Sequence, residues 1–222
     1  DAGADQSVCS NNADITLNGS VTVATGGIWS GRAGTYSPDN TTLDATYTPT
    51  AAEISSGSLT LTLTSTGNGS CDSTSDNVTF TFTPSPVVNA GGDQSVCANN
   101  ADVTLNGSVT VATGGVWTGG SGSFNPSATS LGAIYTPSAA EITAGTVTLT
   151  LTSTGNGDCV AESDNMTITI TPEPVVDAGT DITVCANNAD ANLNGSVTGA
   201  TGGQWSGGLG TFSPSNTNLN AI

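Results

Sequence analysis

The stretch DAGADQSVCSNNADITLNGSVTVATGG, starting at Asp1, returns as NAGGDQSVCANNADVTLNGSVTVATGG at Asn89 and as DAGTDITVCANNADANLNGSVTGATGG at Asp177. Both steps are 88 residues (89 − 1 and 177 − 89), with no insertion or deletion. A period that long exceeds the ~20–50 residues of solenoid repeats and is the size of a small domain with its own core. The expected organisation is beads on a string: 1–88, 89–176 and a third unit, 177–222, that stops at repeat position 46 (222 − 176). That last unit lacks the counterparts of Tyr135 to Val176 and is expected not to bury a full core alone. Either the chain continues as part of something longer or a second chain completes it.

Within each unit the apolar residues alternate with polar ones. Ile15, Leu17, Val21 and Val23 do so, with Gly19 where another inward residue would fall. Leu59, Leu61 and Leu63 alternate with threonines, as do Val147, Leu149 and Leu151. Val78, Phe80 and Phe82, matched by Met166, Ile168 and Ile170, repeat the pattern late in the unit. Period two with threonine between describes strands buried on one face, as in antiparallel sheets. Turn residues punctuate the strands at Asn11-Asn12, Gly26-Gly27 and Gly67-Asn68-Gly69. About seven short strands per unit are expected and no helix beyond one turn at Ala51-Ala52-Glu53-Ile54. This spacing predicts an all-β fold of tandem immunoglobulin-like β-sandwiches. The joints Thr83-Pro84-Ser85-Pro86-Val87-Val88 and Thr171-Pro172-Glu173-Pro174-Val175-Val176 carry prolines at alternate positions, which favours stiff, extended connectors and hence a rod.

Charge narrows the partners. Eighteen acidic residues stand against one arginine, Arg32, with no lysine or histidine, so the net charge is −17. Nucleic acid and anionic membrane surfaces would repel such a chain. No apolar run approaches the roughly 18 residues of a helical membrane span, so direct membrane insertion is not expected. The absence of lysine excludes Lys–Asn isopeptide staples and, with a single arginine, leaves trypsin-like proteases almost nothing to cut.

Cys9 and Cys71 lie 62 residues apart (71 − 9), as do Cys97 and Cys159 (159 − 97), while the partner position of Cys185 falls beyond residue 222. The expectation is one disulfide per complete unit, Cys9–Cys71 and Cys97–Cys159. Each would stabilise by roughly 3–4 kcal/mol in the chain-entropy picture and imply an oxidising compartment. Without histidine or a CxxC pair, a zinc site has no ligand set.

Trp29, Trp117 and Trp205 share repeat position 29, and Tyr36, Phe124 and Phe212 share position 36. Each aromatic row suits a sandwich core or a sugar-stacking surface, with the core the expected role. Recurrent acids stand at Asp5/Asp93/Asp181, Asp14/Asp102/Asp190, Glu53/Glu141 and Asp76/Asp164. Such residues shape turns through their own backbone; alternatively, oxygen ligands at the joints would hold calcium, with Asp1, Asp5, Asn89, Asp93, Asp177 and Asp181 as the candidates. Ser73, in Asp72-Ser73-Thr74, matches a bacterial O-glycosylation pattern, though the second unit has Val160-Ala161 there. With no histidine to act as base and cysteines expected to be oxidised, no enzyme is expected.

The strings DQSVC, NNAD, TLNGSVT and ATGG, followed by YTP, AAEI, LTLTSTGNG and ITPEPVV, resemble repeats of very large secreted surface proteins of Bacteroidota. Those repeats are similar to PKD and immunoglobulin-like domains, and the proteins include gliding-motility and cell-surface adhesins. The resemblance covers essentially the whole chain, although Trp29-Ser30-Gly31 stands where PKD domains carry a W-x-F-G-D-G-like element. It implies an extracellular location, export by the type IX route and a role as spacer or stalk repeats of a surface adhesin or filament. The rival readings are a repeated polysaccharide-binding module and a self-assembling filament subunit.

Overall fold

The structure, a computed structural model, describes residues 1–222. The first unit contains β1 (Gln6–Cys9), β2 (Ile15–Thr16), β3 (Gly26–Ser30), β4 (Thr35–Ser37) and β5 (Thr46–Thr48). A short helix α1 (Ala51–Ser55) follows, then the long strands β6 (Ser58–Thr66) and β7 (Ser75–Thr83). The second unit opens with β8 (Val87–Asn89) and repeats the set: β9 (Gln94–Cys97), β10 (Val103–Thr104), β11 (Ser108–Thr110), β12 (Gly114–Thr118), β13 (Ser123–Asn125) and β14 (Ile134–Thr136). Helix α2 (Ala139–Ala144), β15 (Thr146–Thr154) and β16 (Ser163–Thr171) complete it. The last residues form only the pair β17 (Val175–Asp177) and β18 (Ser196–Thr198).

Each complete unit is a two-sheet sandwich. One sheet runs β1-β7-β6-β3 and the other β2-β5-β4, with β9-β16-β15-β12 and β10-β14-β13 as their copies. Every pairing is antiparallel except the first strand, which lies parallel to the last: Gln6 faces Phe80 and Cys9 faces Thr83, as Cys97 faces Thr171. The chain crosses between sheets after β1, β2, β3 and β5, in the immunoglobulin-like arrangement expected from the strand spacing.

Alternation does what the sequence requires of it. Leu59, Leu61, Leu63, Val78 and Phe80 point inward and are buried with Trp29 of the same sheet, and Ile15, Leu17 and Tyr47 meet them from the facing layer. The second unit has its own separate core around Leu105, Trp117, Tyr135, Leu149, Leu151 and Ile168. The outward threonines bond across the strands, as in Thr62 Oγ1 to Asn77 Oδ1 at 2.8 Å and Thr150 Oγ1 to Asn165 Oδ1 at 2.7 Å.

Three expectations need correction. The single helical turn is a full short helix in both units, because Thr50 with Glu53, and Ser138 with Glu141, form a capping box at its start. Gly19 is not a gap in a strand: a Cβ there would sit 2.7 Å from Trp29 Cζ2 and 2.8 Å from Leu63 Cδ2, so the tryptophan ring occupies the space. Val23 does not face the core either. It is fully exposed at φ +73°, and Val111 repeats this at φ +72°. The third copy has Gly199 there, at φ +76°, the residue that adopts such a turn without a Cβ penalty.

Candidate functional site: the joint between repeats

The linker is three residues long. β7 ends at Thr83, Pro84-Ser85-Pro86 follow, and Val87 is already paired to Thr110 in the second unit. Prolines at both ends hold the linker extended, and β8 has no slack because Val88 faces Val109 and Asn89 faces Ser108.

At this joint the structure places a disulfide between Cys9 and Cys159, with Cα atoms 5.1 Å apart. Cys71, Cys97 and Cys185 are free. The expected pairs Cys9–Cys71 and Cys97–Cys159 are therefore corrected, and the parallel first strand gives the physical reason. Because β1 runs alongside β7, Cys9 lies beside Thr83 at the pole where the chain leaves the unit. Cys71 sits in the turn between β6 and β7, at the opposite pole. The nine residues of β7 from Ser75 to Thr83 separate the poles by roughly 26 Å, eight steps at ~3.3 Å each. A disulfide tolerates a Cα separation of only about 7 Å, so the two cysteines of one unit are out of reach of each other. The next unit, entering at that exit pole, brings its own β6–β7-type turn, and with it Cys159, against Cys9.

Amide contacts surround the bridge. The turn after β1 is closed by Asn12 N donating to Cys9 O at 3.0 Å. It presents Asn11, whose Nδ2 donates to Val160 O at 3.0 Å and to Glu162 Oε1 at 2.7 Å, while its Oδ1 accepts from Val160 N at 3.1 Å. Asn12 Nδ2 donates to Asp158 O at 3.2 Å. Most of these contacts go from a neutral amide side chain to backbone, so in a chain of net charge −17 they form without pairing like charges. Asn11-Asn12 carried only a turn signal in the sequence. Its contact with residues 158–162 spans about 150 positions and leaves no local mark.

The calcium candidates are not brought together. Asp1 Oδ1, Asn89 Oδ1 and Asp177 Oδ1 accept from the N–H two residues on, at 2.8, 2.7 and 2.8 Å. Asp5 and Asp93 each bond to the middle of the last long strand of their unit, accepting from Thr79 N and Thr167 N at 2.8 Å. Asp181 is exposed. No three carboxylate or thiol side chains cluster as metal ligands anywhere in the chain. The joint is built by Cys9, Asn11, Asn12 and the Asp158–Glu162 turn.

The other acids act inside a unit. Asp14 and Asp102 accept from Thr48 Oγ1 and Thr136 Oγ1, and Asp76 and Asp164 accept from Ala2 N and Ala90 N. Glu53 accepts from Thr50 N, Ala33 N and the Tyr47 hydroxyl at 2.8, 2.9 and 2.9 Å. Glu141, buried in the second copy, accepts from Ser138 N, Ser121 N and Tyr135 OH. Burial opposes ionisation of both carboxyls, but these donors outweigh it and hold each below the usual carboxylate range. The tyrosines move the other way: burial, then the bond to Glu141, pushes Tyr135 up to about 12, and Tyr47 rises for the same reasons. These two sites fasten the helix to β5 or β14.

Trp29 and Trp117 are 0% and 1% exposed, and their Nε1 atoms donate to Leu43 O and Leu131 O at 3.2 and 3.3 Å. Neither has a ring face free for a sugar. Trp205 is partly exposed beside a cleft of about 320 Å³ with Val176, Val197 and Leu219, where the first two units place their long strands. Tyr36 and Phe124 stack at a tilt on Tyr47 and Tyr135, with centroids 4.8 and 4.9 Å apart. Ser73 is exposed on the same turn as Cys71.

No protein-family pattern matches the sequence, and no curated protein matches it. Among solved structures the chain is similar to the insect immune protein hemolin, at 11% identity and a TM-score of 0.37, covering 76% of this chain and 45% of that one. It is also similar to domains EC1-3 of mouse protocadherin-24, at 11% identity and a TM-score of 0.40, covering 86% and 72%. A third is Drosophila N-cadherin EC1-4, at 13% identity and a TM-score of 0.35, covering 75% and 47%. The chain thus spans about half the length of several structures that it resembles.

Proposed function

We propose that this chain is a stretch of non-catalytic spacer repeats, divided at 1–88, 89–176 and 177–222, from a large extracellular adhesin or filament. The observation that carries this reading is the joint. A three-residue proline linker, a strand pairing that starts at once, a disulfide and four amide contacts fix one unit on the next. Domains that only need tethering do not require such a joint, whereas a rod that must hold its reach does. The disulfide supports an oxidising, extracellular setting. No helix is long and apolar enough to cross a membrane. The sequence resemblance to giant surface proteins of Bacteroidota supports a cell-surface location and export by the type IX route. The buried tryptophans argue against the polysaccharide-binding reading, because position 29 is a core position in both complete units.

Electron microscopy of the native protein, purified from its source without reduction, tests the proposal. Straight beaded rods, one bead per 88 residues and with free sides, are the expected result. Regular lateral contacts between rods would instead make the repeats a self-assembling polymer and overturn the spacer reading.

A further inference from the structure

The disulfide joins repeat position 9 of one unit to position 71 of the next (159 − 88 = 71). Every remaining cysteine occupies one of these two positions. Cys97 and Cys185 stand at position 9 (97 − 88 and 185 − 176), and Cys71 at position 71.

The free cysteines sit in turns already shaped for the same bond. At position 9 the turn is closed identically in all three copies, with Asn12, Asn100 and Asn188 N–H donating to the cysteine carbonyl at 3.0, 2.9 and 2.9 Å. At position 71, Cys71 N donates to Asn68 O at 3.2 Å and Cys159 N to Asn156 O at 3.1 Å. Cys159 Sγ lies 3.7 Å from Pro84 O at the first linker, and Cys97 Sγ lies 3.9 Å from Pro172 O at the second. Cys97 is therefore placed against its linker as Cys9 is against the first.

Cys71 is exposed at the edge of a cleft of about 680 Å³, lined by Asp1, Val21, Leu63, Asn68 and Asp72 among others. In the second unit, the same surface is occupied. Val109, the counterpart of Val21, faces Val88 of β8, and Val160, the counterpart of Asp72, holds Asn11 through its backbone N–H and C=O. Backbone contacts survive the exchange of Val for Asp. Residues 108–110 form a strand against β8, whereas in the first unit only Ser20 is paired, with Asp1, and residues 20–22 form no strand.

We propose that the cleft around Cys71 is a docking surface for the linker and cysteine turn of another copy of this 88-residue repeat, and that Cys71 bonds to that copy's position-9 cysteine. The same rule assigns Cys97 and Cys185 to position-71 cysteines of following repeats. The array is then held by staggered disulfides, each running from one repeat to the next and none within a repeat. In forming each bridge two thiols lose their protons, a sulfur–sulfur bond forms, and two electrons pass to an external disulfide oxidant, which leaves as a dithiol. This pairing stands whether or not the array serves as a stalk.

Mass spectrometry of the native protein tests it, with free thiols first blocked by N-ethylmaleimide and digestion at acidic residues without reduction. The cysteine peptides differ in sequence: QSVCSNN for Cys9, GSCD for Cys71, QSVCANN for Cys97, DCVAE for Cys159 and TVCANN for Cys185. The expected cross-links are Cys9 to Cys159 and Cys71 to a position-9 peptide from a different repeat. Recovery of Cys9 linked to Cys71, of Cys97 linked to Cys159, or of Cys71 as the maleimide adduct overturns the proposal. A Cys159→Ser variant of the 222-residue chain adds a second readout. In the monomeric fraction its Cys9 is expected to be recovered as the maleimide adduct, and a Cys9–Cys71 bridge within a single monomeric chain would overturn the staggered scheme.

Discussion

Position 19 and position 29 of each repeat are one structural fact shared between two residues. The tryptophan fills the core only because a glycine stands across from it: in the second unit a Cβ on Gly107 would lie 2.7 Å from Trp117 Cζ2 and 2.8 Å from Leu151 Cδ2, the contacts seen at Gly19. The ring is held by its bond to the Leu131 carbonyl and buried on all sides, so it has nowhere to retreat. Gly107→Ala is therefore expected to lower the stability of the second unit by about 1–3 kcal/mol, the usual cost of overpacking, although alanine ordinarily loses less backbone entropy on folding than glycine. Chemical denaturation followed by tryptophan fluorescence checks this, and an unchanged midpoint would remove the packing argument. The pairing was half legible in the sequence. Alternation marked the inward residues and the glycine, but a missing side chain says nothing about which neighbour fills its place. Position 23 was hidden more deeply, because Val23 and Val111 read as strand residues while adopting the left-handed backbone. The signal available was Gly199, which replaces valine at the same position of the third copy.

At the level of elements, the short helix between the two sheets depends on one carboxylate. Glu141 closes the capping box with Ser138 and also takes the Tyr135 hydroxyl and Ser121 N–H, so it ties α2 to β14 and to the turn before β13. Its carboxyl is held below the usual range in the folded chain. A group with a depressed folded pKa adds stability above its unfolded value, and that stability is lost as pH falls through the folded value. The folded chain is expected to lose thermal stability as pH drops below about 4.5, the ordinary glutamate value from which Glu141 and Glu53 are lowered. Glu141→Gln should lower the melting temperature of the second unit at neutral pH and flatten its decline in acid. Equal acid slopes for variant and parent, measured by calorimetry, would assign the loss to other groups. The capping residues, with Thr or Ser three before Glu, were present in the sequence. Five or six residues give too little periodicity to show a helix, so only the cap announced it. The cysteine pairing failed at the same scale. A spacing of 62 within a unit and 150 between units arise from the same two positions, and the choice rests on whether β1 runs parallel or antiparallel to β7, which alternation does not encode.

Staggered bridges give the whole array a mechanical property that no single unit has. If every position-9 cysteine is linked to position 71 of the next repeat, the covalent path leaves Cys9 for Cys159, follows the chain to Cys185 and leaves again. Only 26 residues (185 − 159) then carry load for every two repeats, which contain 176. At ~3.5 Å per residue that is roughly 90 Å of contour, against roughly 600 Å for the same two repeats without bridges. Two folded repeats, each built on nine-residue strands of about 30 Å, already span most of the shorter figure. Unfolding under tension would therefore lengthen the oxidised array very little. Bridges inside each repeat would behave differently, since every unit would contribute its own 26 residues (88 − 62) outside the loop, and each unfolding event would release length. Pulling single native molecules from their ends separates the cases. The expected trace for the oxidised array is stiff to detachment with no per-repeat steps. After reduction, regular steps approaching ~300 Å of contour should appear, one for each 88-residue unit. Steps in the oxidised molecule at each repeat would show that unfolding still releases chain, and the reach of the rod would then rest on the stability of individual sandwiches and not on the covalent stagger.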